Sequence, residues 1–302
     1  MDLGYTRPLY ILAFDHRGSF QKKLMGIAGD PTPEEAARIS DAKRVIFEGF
    51  RQAVADGVPR EEAGLLVDEQ FGADIAREAK AEGHVLAMPV ETSGQDEFDF
   101  EYGADFGRHI ESFDPTFSKV LVRYNPEGEA DLNARQASRL RELSDWLHER
   151  ERRFLFELLV AAEPHQLERA GGDIGRYDRE IRPGLMAQAI VQLQDAGVEP
   201  DVWKIEGIDL REECEWLAQA VRRDGRKHVA CVVLGRGADE QAVVHWLRQG
   251  AGVPGYIGFA IGRTIWWDPL SSYLSGQAVR DAAAKAIAEN YRRMIEVYTT
   301  AS

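Results

Sequence analysis

The sequence predicts an α/β fold, a single (β/α)8 TIM barrel, and three observations carry that reading. Eight short apolar runs alternate with longer helical patterns along the chain. Alternation of this kind builds a parallel sheet covered by helices. The length of 302 residues suits one barrel with insertions, since the fold needs about 250 residues. The structural competitor is an open doubly wound sheet. Against it, the first run leads into Asp15-His16-Arg17-Gly18 and not into a glycine-rich phosphate fingerprint that opens a helix.

The predicted strands are Leu9–Phe14, Gly64–Val67, His84–Pro89, Lys119–Arg123, Phe154–Leu159, Val202–Ile205, His228–Leu234 and Tyr256–Ile261. Each is short and apolar, as strands buried on both faces are. Between most of them lie helical segments. Pro33–Asp56 opens with Thr32 as N-cap and Pro33 in the first turn. Ala134–Arg152 follows the fourth strand. Leu185–Ala196 starts after Pro183-Gly184, presents Leu185, Ile190 and Leu193, and ends at Gly197 before Pro200. Arg211–Arg222 and Asp239–Gln249 come next. Gly276–Tyr298 carries an alanine-rich face (Ala282, Ala283, Ala284, Ala286, Ala288) that packs on its own barrel or on a second subunit. Two stretches, Glu91–Pro115 and Val160–Pro183, exceed ordinary loop length. They make long loops after strands 3 and 5 and rise from the face where barrel active sites lie. With no internal repeat and no linker, residues 1–302 read as one domain.

Charge narrows the function classes. With 37 Lys and Arg against 51 Asp and Glu, the net charge is −14. Such a surface repels phosphate backbones and anionic membranes, which excludes nucleic acid as the expected partner. An anionic substrate would need locally focused cations. No apolar run approaches the ~20 residues of a membrane helix. Leu9–Phe14 is too short for the apolar core of a signal peptide, so the expected location is cytoplasmic. Cys214 and Cys231 match no metal spacing and read as buried thiols in a reducing compartment.

The most informative residue is Lys204, inside Asp-Val-Trp-Lys-Ile-Glu-Gly. Lysines are almost never fully buried unless paired. Burial disfavours a charged amine, and the neutral amine is a nucleophile suited to Schiff-base formation with a carbonyl. The residue has an equal second reading, an ammonium paired with Glu206 or another carboxylate. Side chains alternate along a strand, so Lys204 shares a face with Val202 and Glu206. By the same parity Glu157 sits with Leu155 and Leu159, and Lys119 with Leu121 and Arg123. An inward Glu157 would have its pKa raised by burial, the property of a candidate acid/base. As the bland alternative it is an ion-pair partner for a neighbouring lysine.

A cationic cluster accompanies these residues. Gly235-Arg236-Gly237 follows the seventh strand and Gly262-Arg263 the eighth. Barrels often bind phosphate at those two loops. Glycine permits close backbone approach, and arginine offers a bidentate fork. The alternative is two surface arginines in glycine turns. Asp15, Arg17 and Asp68 stand at strand ends where catalytic residues belong, and the alternative reading of Asp15 or Asp68 is a helix N-cap. The seven histidines are scattered: His84 and His228 begin strands and so face the wrong end, and only His16, His109 and His165 reach the top. No paired-histidine motif links them, so metal catalysis ranks below lysine catalysis. Trp266-Trp267 reads as core.

At this point the pattern resembles the class I tagatose-bisphosphate aldolase superfamily. The residues that carry the resemblance are the lysine in Val-Trp-Lys-Ile-Glu-Gly, the glutamate in Phe-Leu-Phe-Glu-Leu-Leu, the Gly-Arg at the eighth strand and the Asp-His-Arg-Gly-Ser-Phe opening. A narrower likeness rests on YILAFDHRGSF, KVLVRYNPEG, YDREIRPGLM, AGVEPDVWKIEG and GRTIWWDP. These resemble the barrel domain fused behind the sugar kinase of bacterial myo-inositol catabolism, over nearly the whole chain from Leu9 to about Tyr298. The kinase half is not in this sequence.

The resemblance implies a (β/α)8 fold and metal-independent chemistry with no cofactor. Lys204 would form the Schiff base with a phosphorylated ketose, and Glu157 would shuttle protons in imine formation and carbon–carbon cleavage. Arg263, with Gly262 and Gly235-Arg236, would hold the phosphate. Asp15 and Lys119 would contact hydroxyls or the imine. The implied substrate is 6-phospho-5-dehydro-2-deoxy-D-gluconate, cleaved to dihydroxyacetone phosphate and malonate semialdehyde. Arg17 and Arg123 are the spare cations for its carboxylate. They suit equally the sulfonate of 6-deoxy-6-sulfofructose 1-phosphate, which would give sulfolactaldehyde. Two other classes stand beside these: a non-catalytic, regulatory sugar-phosphate-binding barrel, and a metal-dependent aldolase or epimerase.

Overall fold

The structure, a computed structural model, describes residues 2–237 and 239–301. Its strands are β1 (Leu9–Ala13), β2 (Ala63–Leu66), β3 (Val85–Pro89), β4 (Phe117–Arg123), β5 (Arg153–Leu159), β6 (Val202–Glu206), β7 (Ala230–Leu234) and β8 (Tyr256–Ile261). The helices are α1 (Pro33–Ala55), α2 (Glu69–Ala81), α3 (Phe106–Phe113), α4 (Ala130–Glu149), α5 (Pro164–Arg169), α6 (Ile174–Glu180), α7 (Arg182–Asp195), α8 (Arg211–Val221), α9 (Glu240–Gly250), α10 (Arg263–Leu274) and α11 (Arg280–Thr300). All eight strands pair in parallel with their sequence neighbours, and β1 pairs with β8, so the sheet closes into the expected barrel.

The barrel is filled from the bottom. Leu9, Ile11, Ala13, Leu66, Val85, Ala87, Phe117, Leu155, Val202, Val232 and Ala260 form its apolar interior, with Tyr5 beneath them. The Tyr5 ring meets Phe117 edge-on at 5.1 Å. Toward the strand C-termini the inward positions change from apolar to charged. Glu157 lies opposite Lys204 in the β5–β6 register, one step above the Leu155–Val202 pair. At the closing seam Leu9 pairs with Gly258, where a Cβ would stand 2.0 Å from the Leu9 carbonyl oxygen. Only glycine fits there.

The outward strand faces pack against the helix ring in one apolar cluster. The N-terminus of α1 carries the predicted cap as a full capping box: the Glu35 N–H donates to Thr32 Oγ1 at 3.2 Å, and the Thr32 N–H to Glu35 Oε2 at 2.9 Å. The alanine-rich face of α11 lies on its own barrel, against α1, with Ala283, Ala284 and Ala288 buried. Gly49 of α1 permits this, since a Cβ there would be 2.7 Å from the Ala284 carbonyl oxygen.

Two expectations need correction. The predicted helix Gly276–Tyr298 begins at Arg280, and α10 precedes it across a turn at Gly276. Pro269 lies within α10 and masks its pattern. The two long stretches also contain helices: α3 after β3, and α5 and α6 after β5. Helices of six to eight residues are too short to show a period and are recognisable only by their caps. Asp173 supplies one, accepting the N–H groups of Gly175 and Arg176 at 2.8 and 3.1 Å. Among the described residues no helix is long and apolar enough to cross a membrane.

Candidate active site

A cleft of about 700 Å³ opens at the C-terminal face of the barrel. Its lining includes Asp15, Arg17, Glu91, Lys119, Arg123, Glu157, Lys204, Glu206, Gly235, Arg236, Gly262 and Arg263. Ten of the eleven residues singled out from sequence are therefore brought to one cleft, and Asp68 is not. A second hollow, about 590 Å³, lies at the opposite end around Tyr5, His84 and His228, where strands begin.

Five charged groups make the floor: Lys204, Glu157, Lys119, Asp15 and Glu91. Lys204 on β6 is 3% exposed, and its Nζ stands 2.9 Å from Glu157 Oε2. Glu206, the partner considered from sequence, is engaged elsewhere: it pairs with Arg182 at 3.0 Å and Arg236 at 2.9 Å and accepts the Val160 N–H. Lys119 on β4 is buried among three carboxylates. Its Nζ donates to Asp15 Oδ2 at 2.9 Å and Glu91 Oε1 at 2.8 Å, and lies 3.1 Å from Glu157 Oε2.

Those contacts set the protonation states. Burial alone would neutralise Lys119, but Asp15, Glu157 and Glu91 outweigh it and hold the ammonium well above its ordinary range. Burial likewise raises Glu157, yet Lys119 and Lys204 together prevail, and its carboxyl is held below the usual range. This reverses the sequence expectation of a raised Glu157: desolvation is present, and two cations overcome it. Asp15 is lowered as well, with Lys119 and His16 overcoming its burial. Burial pulls His16 down to about 4, against the attraction of Asp15 and with help from Arg263, so its imidazole is neutral at pH 7. The two lysines thus differ. Lys119 is fixed as a cation by three carboxylate partners, while Lys204 contacts one, Glu157.

The rim is cationic at the loops after β7 and β8. Gly262 caps α10 at a point where a Cβ would be 2.2 Å from the Ala13 carbonyl oxygen, and Arg263 begins that helix. The Arg263 Nη2 donates to the Arg236 carbonyl oxygen at 3.0 Å. Arg236 is held by Glu206 and by Asp178 at 3.0 Å. Lys22 and Lys23, on a π-helical turn at Phe20–Leu24, also line the cleft.

Two assignments change. Arg17 is not a spare cation: its Nη1 is 3.1 Å from Glu101 Oε2, and its Nη2 donates to the Glu91 carbonyl oxygen at 2.8 Å. Asp68 pairs with the buried Lys43 and accepts the Phe71 N–H at the start of α2, so it is a structural cap and counter-ion. Arg123 does line the cleft, with its Nη1 donating to the Gln95 carbonyl oxygen at 2.7 Å. Glu91 was missed. It continues the inward parity of Val85, Ala87 and Pro89 just as Asp15 continues Leu9, Ile11 and Ala13, and extending that parity one step past the strand would have found it. Trp266 is core, donating to the Ala13 carbonyl oxygen at 2.9 Å.

Two solved structures share this architecture. A Corynebacterium glutamicum protein solved by structural genomics matches at TM-score 0.58 and 16% identity, over 95% of this chain and 86% of its own. A fructose-bisphosphate aldolase from Slackia heliotrinireducens matches at TM-score 0.57 and 14% identity, over 93% of this chain and 85% of its own. At these identities the likeness is one of fold. No curated protein matches the sequence. A family match does cover it, from Tyr5 to the last residue, 302, and places the chain among the proteins described as uncharacterized and conserved in bacteria (DUF2090), the family to which it belongs.

Proposed function

We propose that the chain is a metal-independent class I aldolase that forms a Schiff base on Lys204 with a phosphorylated ketose. One observation supports this above the others: a buried lysine on β6, 2.9 Å from a carboxylate, on the floor of a cleft with a cationic rim. The aldolase of Slackia heliotrinireducens, which shares the barrel, lends support at the level of fold.

In this reading Glu157 takes a proton from the Lys204 ammonium, and the free amine adds to the ketone carbon. Glu157 returns a proton as water leaves the carbinolamine. The resulting iminium is an electron sink, so the pair from the breaking carbon–carbon bond is held as an enamine. Lys119 stays cationic and stabilises oxyanions beside the imine, and Asp15 holds Lys119 in place. Hydrolysis then frees dihydroxyacetone phosphate. The proposed substrate is 6-phospho-5-dehydro-2-deoxy-D-gluconate, and the other product malonate semialdehyde. With the buried Arg17 engaged by Glu101, the cations proposed for the substrate's carboxylate are Lys22, Lys23 and Arg123, the last lying 3.8 Å from the exposed Asp96. The same three suit the sulfonate of 6-deoxy-6-sulfofructose 1-phosphate, which is the second reading.

Sodium borohydride with dihydroxyacetone phosphate is expected to fix a covalent adduct on Lys204, read by peptide mass mapping. A folded protein, saturated with the ketone, that gains no mass would remove this donor and mechanism. The phosphate assignment has its own check. A Cβ on Gly237, whose φ is +68°, would lie 2.2 Å from the Arg263 guanidinium carbon. Gly237→Ala is therefore expected to displace that guanidinium and raise KM for phosphorylated substrate about 10- to 100-fold, the value of one charged hydrogen bond. An unchanged KM would take Arg263 out of phosphate binding.

A further inference from the structure

Glu91 does more in this cleft than neutralise a lysine requires. Lys119 already has Asp15 at 2.9 Å and Glu157 at 3.1 Å, so a third carboxylate is surplus to its charge. Glu91 meets Lys119 through Oε1 alone. Its Oε2 is buried, makes no hydrogen bond among the described residues, and belongs to a residue that lines the cleft. A carboxylate oxygen without a donor is costly in a protein interior, and a ligand hydroxyl would supply the missing donor.

The backbone beneath it is fixed. Arg17 donates to the Glu91 carbonyl oxygen at 2.8 Å, Glu91 bridges to Phe100, and the Val90 N–H donates to the Lys119 carbonyl oxygen at 2.9 Å. Catalytic groups require such pre-set placement. Glu157 is less free, since both lysines engage its Oε2.

Resting on the aldolase reading above, we infer that Glu91 is the catalytic residue that moves the carbon–carbon cleavage proton, with Glu157 serving imine formation. In cleavage, Glu91 Oε2 takes the proton of the carbinol hydroxyl two carbons from the iminium carbon. The O–H pair becomes the second bond of the aldehyde carbonyl. The carbon–carbon bond breaks, its pair forms the enamine double bond, and the iminium π pair passes to nitrogen. In condensation the protonated Glu91 returns that proton to the new alkoxide. The electrostatics fit this division of labour. Burial holds Glu91 above the ordinary carboxyl range despite Lys119 and Arg17, with Asp15 adding to the rise, whereas Glu157 is held below it. Two carboxyls with pKa values pushed apart are the mark of distinct proton roles. The charged groups around Glu91 are Lys119 from β4, and Arg17 and Asp15 from the segment after β1.

The test is Glu91→Gln, assayed for borohydride trapping with dihydroxyacetone phosphate and for condensation of that ketone with malonate semialdehyde or sulfolactaldehyde. The expected result is wild-type trapping on Lys204 and condensation slowed about 10²- to 10⁴-fold, with the upper pH range of condensation flattened. Glu91→Asp, which keeps a carboxyl, should recover part of that rate and keeps the test alive if the glutamine variant fails to fold. Trapping and condensation lost together would reduce Glu91 to a support for Lys119 and overturn the assignment, as would condensation at the wild-type rate. A wild type that forms no adduct, or forms one but condenses neither aldehyde, would overturn the aldolase reading and this assignment with it.

Discussion

Lys204→Met is expected to lower turnover by about 10⁴-fold or more while the protein keeps its fold. Losses of that order follow when a covalent nucleophile is removed from a site whose other parts remain. Methionine matches the lysine stem in length and suits the apolar barrel interior beneath the floor, which includes Val202 and Val232. Glu157 retains Lys119 at 3.1 Å, so its charge is not stranded. Turnover and adduct formation, and not affinity, separate the two classes of function. If the barrel only binds sugar phosphates, the variant keeps its wild-type affinity for dihydroxyacetone phosphate by calorimetry and there is no turnover to lose. If it is an aldolase, the variant still binds through the Arg263 rim, but turnover and borohydride adduct vanish together. A variant with wild-type turnover would place the chemistry on another residue.

The second large effect is on stability. Asp68→Ala is expected to destabilise the fold by about 3–5 kcal/mol, the cost of stranding one member of a buried ion pair. Lys43 and Asp68 are both fully buried, and Lys43 also donates to the Phe14 carbonyl oxygen at 2.9 Å. With Asp68 gone, the α2 cap at Phe71 is lost and the Lys43 ammonium has no counter-ion in contact among the described residues. Burial already draws Lys43 below its ordinary range against the pull of Asp68, and the variant should neutralise it further. Replacing the pair together, as Lys43→Met with Asp68→Leu, should restore most of the loss. Urea unfolding of the three proteins measures this. Wild-type turnover in Asp68→Ala below its melting range would agree with a structural role, and a catalytic loss at full stability would return Asp68 to the active site.

Much of this architecture was legible because it rests on periodicity. Each of the eight apolar runs is a strand within a few residues of its predicted bounds, and inward parity brought Lys119, Glu157 and Lys204 to one floor. What escaped was set by partners distant in sequence. Arg17 and Asp68 sit at strand ends as predicted. Their roles are decided by Glu101 and Lys43, which no local pattern connects to them. The sign of the Glu157 shift depends on two lysines on flanking strands, so burial read from β5 alone pointed the wrong way. The short helices α5 and α6 lack the length to show a period, and α10 is interrupted by Pro269.

The seam between Leu9 and Gly258 has a consequence for synthesis. The first strand can bond on one side as soon as β2 is made, but its other edge waits for residues near the far end of the chain. Through most of translation an unpaired, wholly apolar edge and the α1 surface that α11 later covers stay open to water. Contacts so distant in sequence form slowly, and exposed edges invite association with other chains. A chain truncated before Gly258 is therefore expected to associate through that open edge more readily than the full chain.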